Sequence, residues 1–272
     1  MSHEAEPEHP HSDAHTCAPA SAGDSAGVPW EGRSFTPNPH AGDDGSADPA
    51  LLAALTARPT DAGSGRDDVG IVDALRRARV LIPLVAEAGD HGIGPHGLAV
   101  DKTQELSIVT VAAPDGRTVL PVFSSVAAMG RWDAAARPVP ADARRAALSA
   151  VADDTDLIVV DPGSDTEYVV RRPAVWAIAQ DQPWEPSWAS ADVYRGLHAS
   201  IGSELAVLDL AVEPGDPTGR LRGPELIVRL QLMPGLSQPE LDGVLQRLAR
   251  RWSTDDRIAV LVDSLTVSLT PR

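Results

Sequence analysis

Leu106-Ser107-Ile108-Val109-Thr110-Val111-Ala112-Ala113-Pro114-Asp115-Gly116-Arg117-Thr118-Val119-Leu120-Pro121-Val122-Phe123 reads as two apolar, β-branched runs on either side of an Asp-Gly turn. Glycine supplies the positive φ such a turn needs, so the pattern predicts a β-hairpin with strands over 106–113 and 118–123. On its N-terminal side, Asp48-Pro49 is a helix start, because Asp accepts from free amides and Pro loses nothing at the first helical position. A second helix fits 67–79, with acids early and arginines late, as the helix dipole favours. Val80–Val85 is a continuous apolar run typical of a buried strand, and Pro83 within it suggests an edge or a bulge. On the C-terminal side, a hydroxyl from Ser124 or Ser125 caps a helix over 126–132. An extended piece at 138–140, a helix over 141–152, strands at 157–160 and 168–170 and a helix opening at Pro173 complete this part.

Residues 182–191 are rich in Pro and Trp and read as a linker. Beyond it lie a helix over 193–201, strands over 205–212 and 226–233, a helix over 238–252, and strands over 257–262 and 265–269. Leu241, Val244, Leu245 and Leu248 mark one face of the helix. The expected fold is α/β to α+β: mixed sheets with covering helices, in two small domains after a disordered N-terminal tail. The expected boundaries are a tail over 1–47, a first domain over 48–181, a linker and helix over 182–203, and a β-β-α-β-β domain over 204–272.

The chain of 272 residues is 43% hydrophobic but only 4% aromatic, so aliphatic side chains must build its core. Its formal net charge is -16, and the acids crowd toward the start: residues 1–50 hold nine acids against the single base Arg33. Such a chain repels phosphate backbones, which disfavours nucleic acid as a partner. A tail of this composition is the signature of disorder. Trp30 and Phe35 within it suggest a strap that packs back onto the folded part. Cys17 is the only cysteine; no internal disulfide can form, and no secretory signal or membrane span is read, so a cytoplasmic location is expected.

Asp101-Lys102, Leu106–Val111, Asp115-Gly116-Arg117, Leu120–Ser125, Trp132 and Pro138-Val139-Pro140 resemble, in order and spacing, the N-terminal domain of the SseB family. The resemblance continues through Asp156–Pro162 and Arg172–Trp176. Pro234-Gly235-Leu236 and Ile258–Leu265 are similar to the C-terminal part of the same family as found in GC-rich bacteria, whose residue usage the lone Lys102 against many arginines also fits. No catalytic residue set and no cofactor come with that resemblance. It implies a regulatory or metabolite-linked role, with Ser124 keeping a helix-capping hydroxyl.

Several motifs fail on physical context. Gly92-Ile93-Gly94-Pro95-His96-Gly97 has the spacing of a dinucleotide loop, but Pro95 removes an amide and strand-like sequence follows where a helix is needed. His3, His9, His11, His15 and Cys17 lack a scaffold to fix metal geometry. Asp43–Asp48 lacks the alternating oxygens and terminal Glu of a calcium loop. There is no GxSxG elbow, and His198 stands alone on a helix. No catalytic residue, metal ligand or cofactor is therefore assigned.

The expected function is a non-enzymatic binding or regulatory module for a protein partner or small metabolite. Its candidate binding residues are Asp101 and Lys102, toward an anionic ligand; Phe123 and Trp132; and the aromatic cluster Trp176, Trp184 and Trp188. Self-association is expected through the C-terminal domain. The alternative is an enzyme with carboxylate acid/base groups in an inter-domain pocket, which requires at least two of Asp101, Lys102, Asp161, Arg171 and Arg172 to share a concave site.

Overall fold

The computed structural model describes residues 40–57, 66–86, 91–93, 99–101, 106–108, 110–113, 115–153, 155 and 157–270, with the backbone alone for 86–108. The chain divides into two units, Met1–Ala41 and Gly42–Arg272, and the elements below belong to the second. The tail residues Cys17, Trp30 and Phe35 and the four tail histidines lie outside the described residues.

The chain is already held before Asp48. Asp43 accepts from Arg79 Nη2 at 2.7 Å and from the Gly45 amide at 2.8 Å. The Gly45 carbonyl accepts from Val126. The acids that suggested a calcium loop thus tighten a turn and pair with an arginine. Helix α1 (Pro49–Thr56) starts as expected, with Asp48 accepting from Ala50 and Leu51 at 2.9 and 3.0 Å. Helix α2 (Asp68–Arg77) is capped by Asp67.

Strand β1 (Arg79–Ala86) is not an edge. It lies between β4 (Leu106–Ile108) and β7 (Arg137–Asp142), antiparallel to both. Pro83 is tolerated because its missing amide is not needed. It faces Pro138 across β7, and β4 pairs only from Leu84 onward. The Leu81 amide donates to Phe123 at 2.8 Å, so Pro83, two residues on, points to the same side just where β1 changes partner.

Strands β2 (His91–Ile93) and β3 (Ala99–Asp101) form a separate antiparallel pair, placing Gly92 in a strand and bringing no helix after the glycines. The expected hairpin exists but is short. Leu106–Ile108 joins β1, and only β5 (Val111–Ala112) pairs with β6 (Thr118–Val122), around Gly116 at φ +85°. Helix α3 (Val126–Trp132) and β7 lead into α4 (Ala143–Ala152). Then β8 (Leu157–Val160) lies parallel to β6, β9 (Tyr168–Val170) antiparallel to β8, and α5 (Arg172–Ala179) follows. One core fills the space between α1, α2, α4 and α5 and these strands, including Leu51, Ile71, Leu75, Val160, Val170 and Ile178.

After α6 (Ala191–Ile201) come β10 (Val207–Pro214), β11 (Leu226–Leu232), α7 (Gln238–Thr254), α8 (Asp256–Leu261) and β12 (Leu265–Thr270). The sheet order is β10-β11-β12, with β11 and β12 parallel. The expected strand over 257–262 is a helix instead. Ile258–Leu261 is a short apolar run that suits either state. Asp255 settles it by accepting from the Arg257 and Ile258 amides, at 3.0 and 3.4 Å, as an N-cap. A second core joins α6, α7 and α8 to one face of the sheet through Leu197, Leu226, Leu230, Leu248 and Trp252. The architecture is α+β with mixed sheets. No described helix is long and apolar enough to cross a membrane.

Candidate functional site: an arginine junction and a tryptophan groove

Strand β9 ends at Val170 and α5 opens at Arg172-Pro173, so Arg171 occupies the bend between them. Its guanidinium crosses to the C-terminal sheet. Nη1 donates to Asp263 Oδ2 at 3.0 Å and Ser264 Oγ at 3.2 Å; Nη2 donates to Asp216 Oδ2 at 2.9 Å and the Gly223 carbonyl at 2.8 Å. Arg117, from the hairpin, donates to both oxygens of Asp263 at 2.8 and 3.2 Å and to Asp115 at 2.7 Å. Asp263 is buried, which works against its charge, but the two arginines outweigh that and hold its carboxyl below the ordinary value.

Behind Arg171 lies a small cavity of about 20 Å³ bordered by Asp68, Tyr168, Asp216, Glu225, Trp184 and Trp188. That is room for about one water. Burial pushes the Glu225 carboxyl up, against the Asp263 amide and the Ser187 hydroxyl beside it. Burial likewise pushes Asp68 up to about 6, against its hydrogen bond with Tyr168 and the charge of Arg66. The Tyr168 hydroxyl is itself raised by burial and by Asp68.

A raised folded-state carboxyl has a definite sign. Below the unfolded value of 3.8 Asp68 is protonated in both states. Between that value and about 6 the unfolded chain releases its proton first, so stability falls as pH rises and levels off above. The unfolding free energy of wild type minus that of Asp68→Asn is expected to drop across this window. The drop is at most about 3 kcal/mol, and smaller to the extent that water reaches this partly buried group. Urea titrations at stepped pH check it; a flat difference would remove Asp68 as the source.

Asp161 directly follows β8, and Ser124 lies two residues past the neighbouring β6. Asp161 takes φ +48°, a left-handed conformation that Asp tolerates. Its carboxylate accepts from the Ser124 amide and hydroxyl, both at 2.7 Å, and from Thr166 Oγ1 at 2.8 Å. The capping hydroxyl of α3 is therefore Ser125, which accepts from Ala128 at 3.1 Å, while Ser124 is spent on Asp161.

The remaining candidates scatter. Asp101 lies in β3 opposite His91 with its side chain outside the description, and Lys102 is outside the described residues altogether. Phe123 is 0% exposed and packs on the partly buried Trp132, ring centroids 5.2 Å apart, so it presents no surface to a ligand. Asp161, Arg171 and Arg172 are committed to different partners. Asp161 closes on its own loop, Arg171 borders the small cavity, and Arg172 donates to the Ala259 and Val262 carbonyls at 2.8 and 2.6 Å, fastening α8. His198 is exposed beside Tyr194. Among the described residues no three His, Cys, Asp or Glu side chains gather as a metal site.

Trp176 and Trp184 do meet. They wall an open groove of about 610 Å³ together with Pro183, Gln180 and Val260, between α5, the 183–185 segment and α8. Trp176 is 47% exposed and Val260 61%. Trp188 is partly buried and borders the small cavity instead. A wider concavity of about 990 Å³ lies on the other side of the junction, edged by Arg117, Arg220, Arg222 and Glu167. Sequence reasoning assigned no role at a site to Arg117, Asp216, Glu225 or Asp263, whose partners lie far along the chain.

Residues 50–177 match the family model of the SseB protein N-terminal domain. Residues 50–177 thus form an SseB N-terminal domain. The match ends inside α5, so it takes in Arg117, Arg171 and Trp176 but not Trp184, Asp216 or Asp263. No curated protein and no solved structure matches the chain.

Proposed function

We propose that this chain is a non-catalytic binding module whose Trp176–Trp184 groove receives an extended, proline- or basic-rich segment of a protein partner. The observation that carries this reading is the half-exposed Trp176 ring, which shares an open groove with Trp184, Pro173, Pro183 and Val260. Large, stiff aromatic rings lose little freedom on binding and dominate interface energies. Aromatic-lined grooves suit polyproline segments, and ring faces attract cations. Among the described residues the one cation lining the groove, Arg172, is tied to the Ala259 and Val262 carbonyls, and Glu185 and Asp192 also line it. The chain's charge of -16 favours encounter with a basic partner. The carboxylates with raised values face a cavity of about 20 Å³, too small for a substrate, which speaks against the acid/base alternative.

Selection of a displayed random-peptide library on the full chain tests the reading. Proline- and arginine- or lysine-bearing sequences are expected to be enriched. Their affinity should fall about 30-fold on Trp176→Ala, the loss of a hot-spot aromatic worth about 2 kcal/mol, while thermal unfolding stays unchanged. Absence of enrichment, or binding indifferent to Trp176, would overturn the proposal.

A further inference from the structure

The two edges of the C-terminal sheet are built differently. Strand β10 carries Asp209 and Glu213, ends in Pro214, and shifts register between Val207 and Asp209. Charge, proline and a bulge are the devices by which proteins stop an edge from pairing. The opposite edge is β12, Leu265-Thr266-Val267-Ser268-Leu269-Thr270, which has none of them. It is uncharged and six residues long, and among the described residues it pairs only with β11. Other described edges are blunted by prolines, as in β7 with Pro138 and Pro140, or are no longer than three residues, as in β4, β5 and β9.

The inner face of β12 is also incompletely covered. A groove of about 530 Å³ runs between it and helices α7 and α8, walled by Leu245, Trp252, Ile258, Val262, Leu265 and Val267. Leu269, next on that face by strand alternation, is 42% exposed. A bare edge beside an open apolar groove is the arrangement that accepts an added strand.

We infer that the added strand is β12 of a second copy, antiparallel and related by a two-fold axis through Val267. The sequence is self-complementary in that register. Residues directly opposite share a face, so Val267 meets Val267 and Leu265 meets Leu269 on the apolar side, while Thr266 meets Ser268 on the outer side. An isologous contact requires this self-matching. Charge points the same way. Two copies of a chain at -16 repel, and β12 offers them a seam free of charge. The contact would join the two sheets into one and cover the apolar grooves at its centre.

Light scattering of the full chain across a wide concentration range is expected to give twice the chain mass of 28.5 kDa. Thr266→Lys with Ser268→Lys changes only the outer face and sets four lysines together across the axis. This variant should remain at 28.5 kDa with an unchanged circular dichroism spectrum. In a Cys17→Ser background, Val267→Cys should oxidise to a disulfide-linked dimer, while Thr270→Cys, which lies off the axis, should not. A wild-type monomer at all concentrations, or a dimer that survives the lysine pair and ignores Val267→Cys, would overturn the inference. A β12 edge taken up by a foreign strand instead would show as a monomer that binds peptides with the Leu-Thr-Val-Ser-Leu-Thr pattern, which also counts against it.

Discussion

Arg171→Met is expected to cost about 3–5 kcal/mol of unfolding free energy, because it strips the counter-charge from two buried carboxylates at once. The side chains of Asp216 and Asp263 are 2% and 1% exposed, and that of Arg171 is 9% exposed. Arg117 can still serve Asp263, but the Arg171 Nη2 bond to Asp216 and the one to the Gly223 carbonyl have no substitute from it. The exposed pair Arg229–Glu213, across β10 and β11, is the control. Removing Arg229 should cost at most about 1 kcal/mol, since water screens and competes for both partners. Urea unfolding of the two variants side by side makes the comparison, and equal small losses would mean that the junction is solvated.

Phe123→Ala is expected to cost about 3–5 kcal/mol, the range for deleting a fully buried ring whose surroundings cannot collapse. The ring packs with Leu81, Ala128, Met129 and Trp132 in a small cluster. The Phe123 backbone exchanges two hydrogen bonds with Leu81, at 2.8 and 2.9 Å, and so links the sheet containing β1 to that containing β6. The surrounding backbone is pinned by that exchange and has little freedom to close the void. Peptide binding at the Trp176 groove should be unaffected under conditions where the variant is folded. A loss of binding without a loss of stability would instead return Phe123 to the role its sequence neighbourhood suggested.

Where the fold was legible, a short-range signal carried it. Asp48-Pro49 starts α1, Asp115-Gly116 turns the hairpin, and the α7 face repeats at helical spacing, each within a window of a few residues. Helix α8 was misread because its apolar run holds no periodicity, and only the cap at Asp255 distinguishes it from a strand. Pro83 pointed to an edge because the sequence does not show where β1 exchanges one neighbour for another. The junction was out of reach for a related reason. Arg171 lies 45 residues from Asp216 and 92 from Asp263, both in loops. Only folding brings them within 3 Å. The tryptophans, by contrast, pointed to this region by their clustering among prolines, though nothing local separates the exposed Trp176 and groove-lining Trp184 from the inward Trp188.

The bend that places Arg171 has a consequence for how this protein is inherited and dissected. The family match stops at residue 177, yet the acids that neutralise its buried guanidinium are supplied from beyond that point. The matched segment and the packing draw the border in different places. A gene fragment trimmed to the recognisable module would inherit an orphaned cation and a severed helix. Any recombination that swaps the C-terminal sheet must therefore bring its own pair of acids to the same two positions.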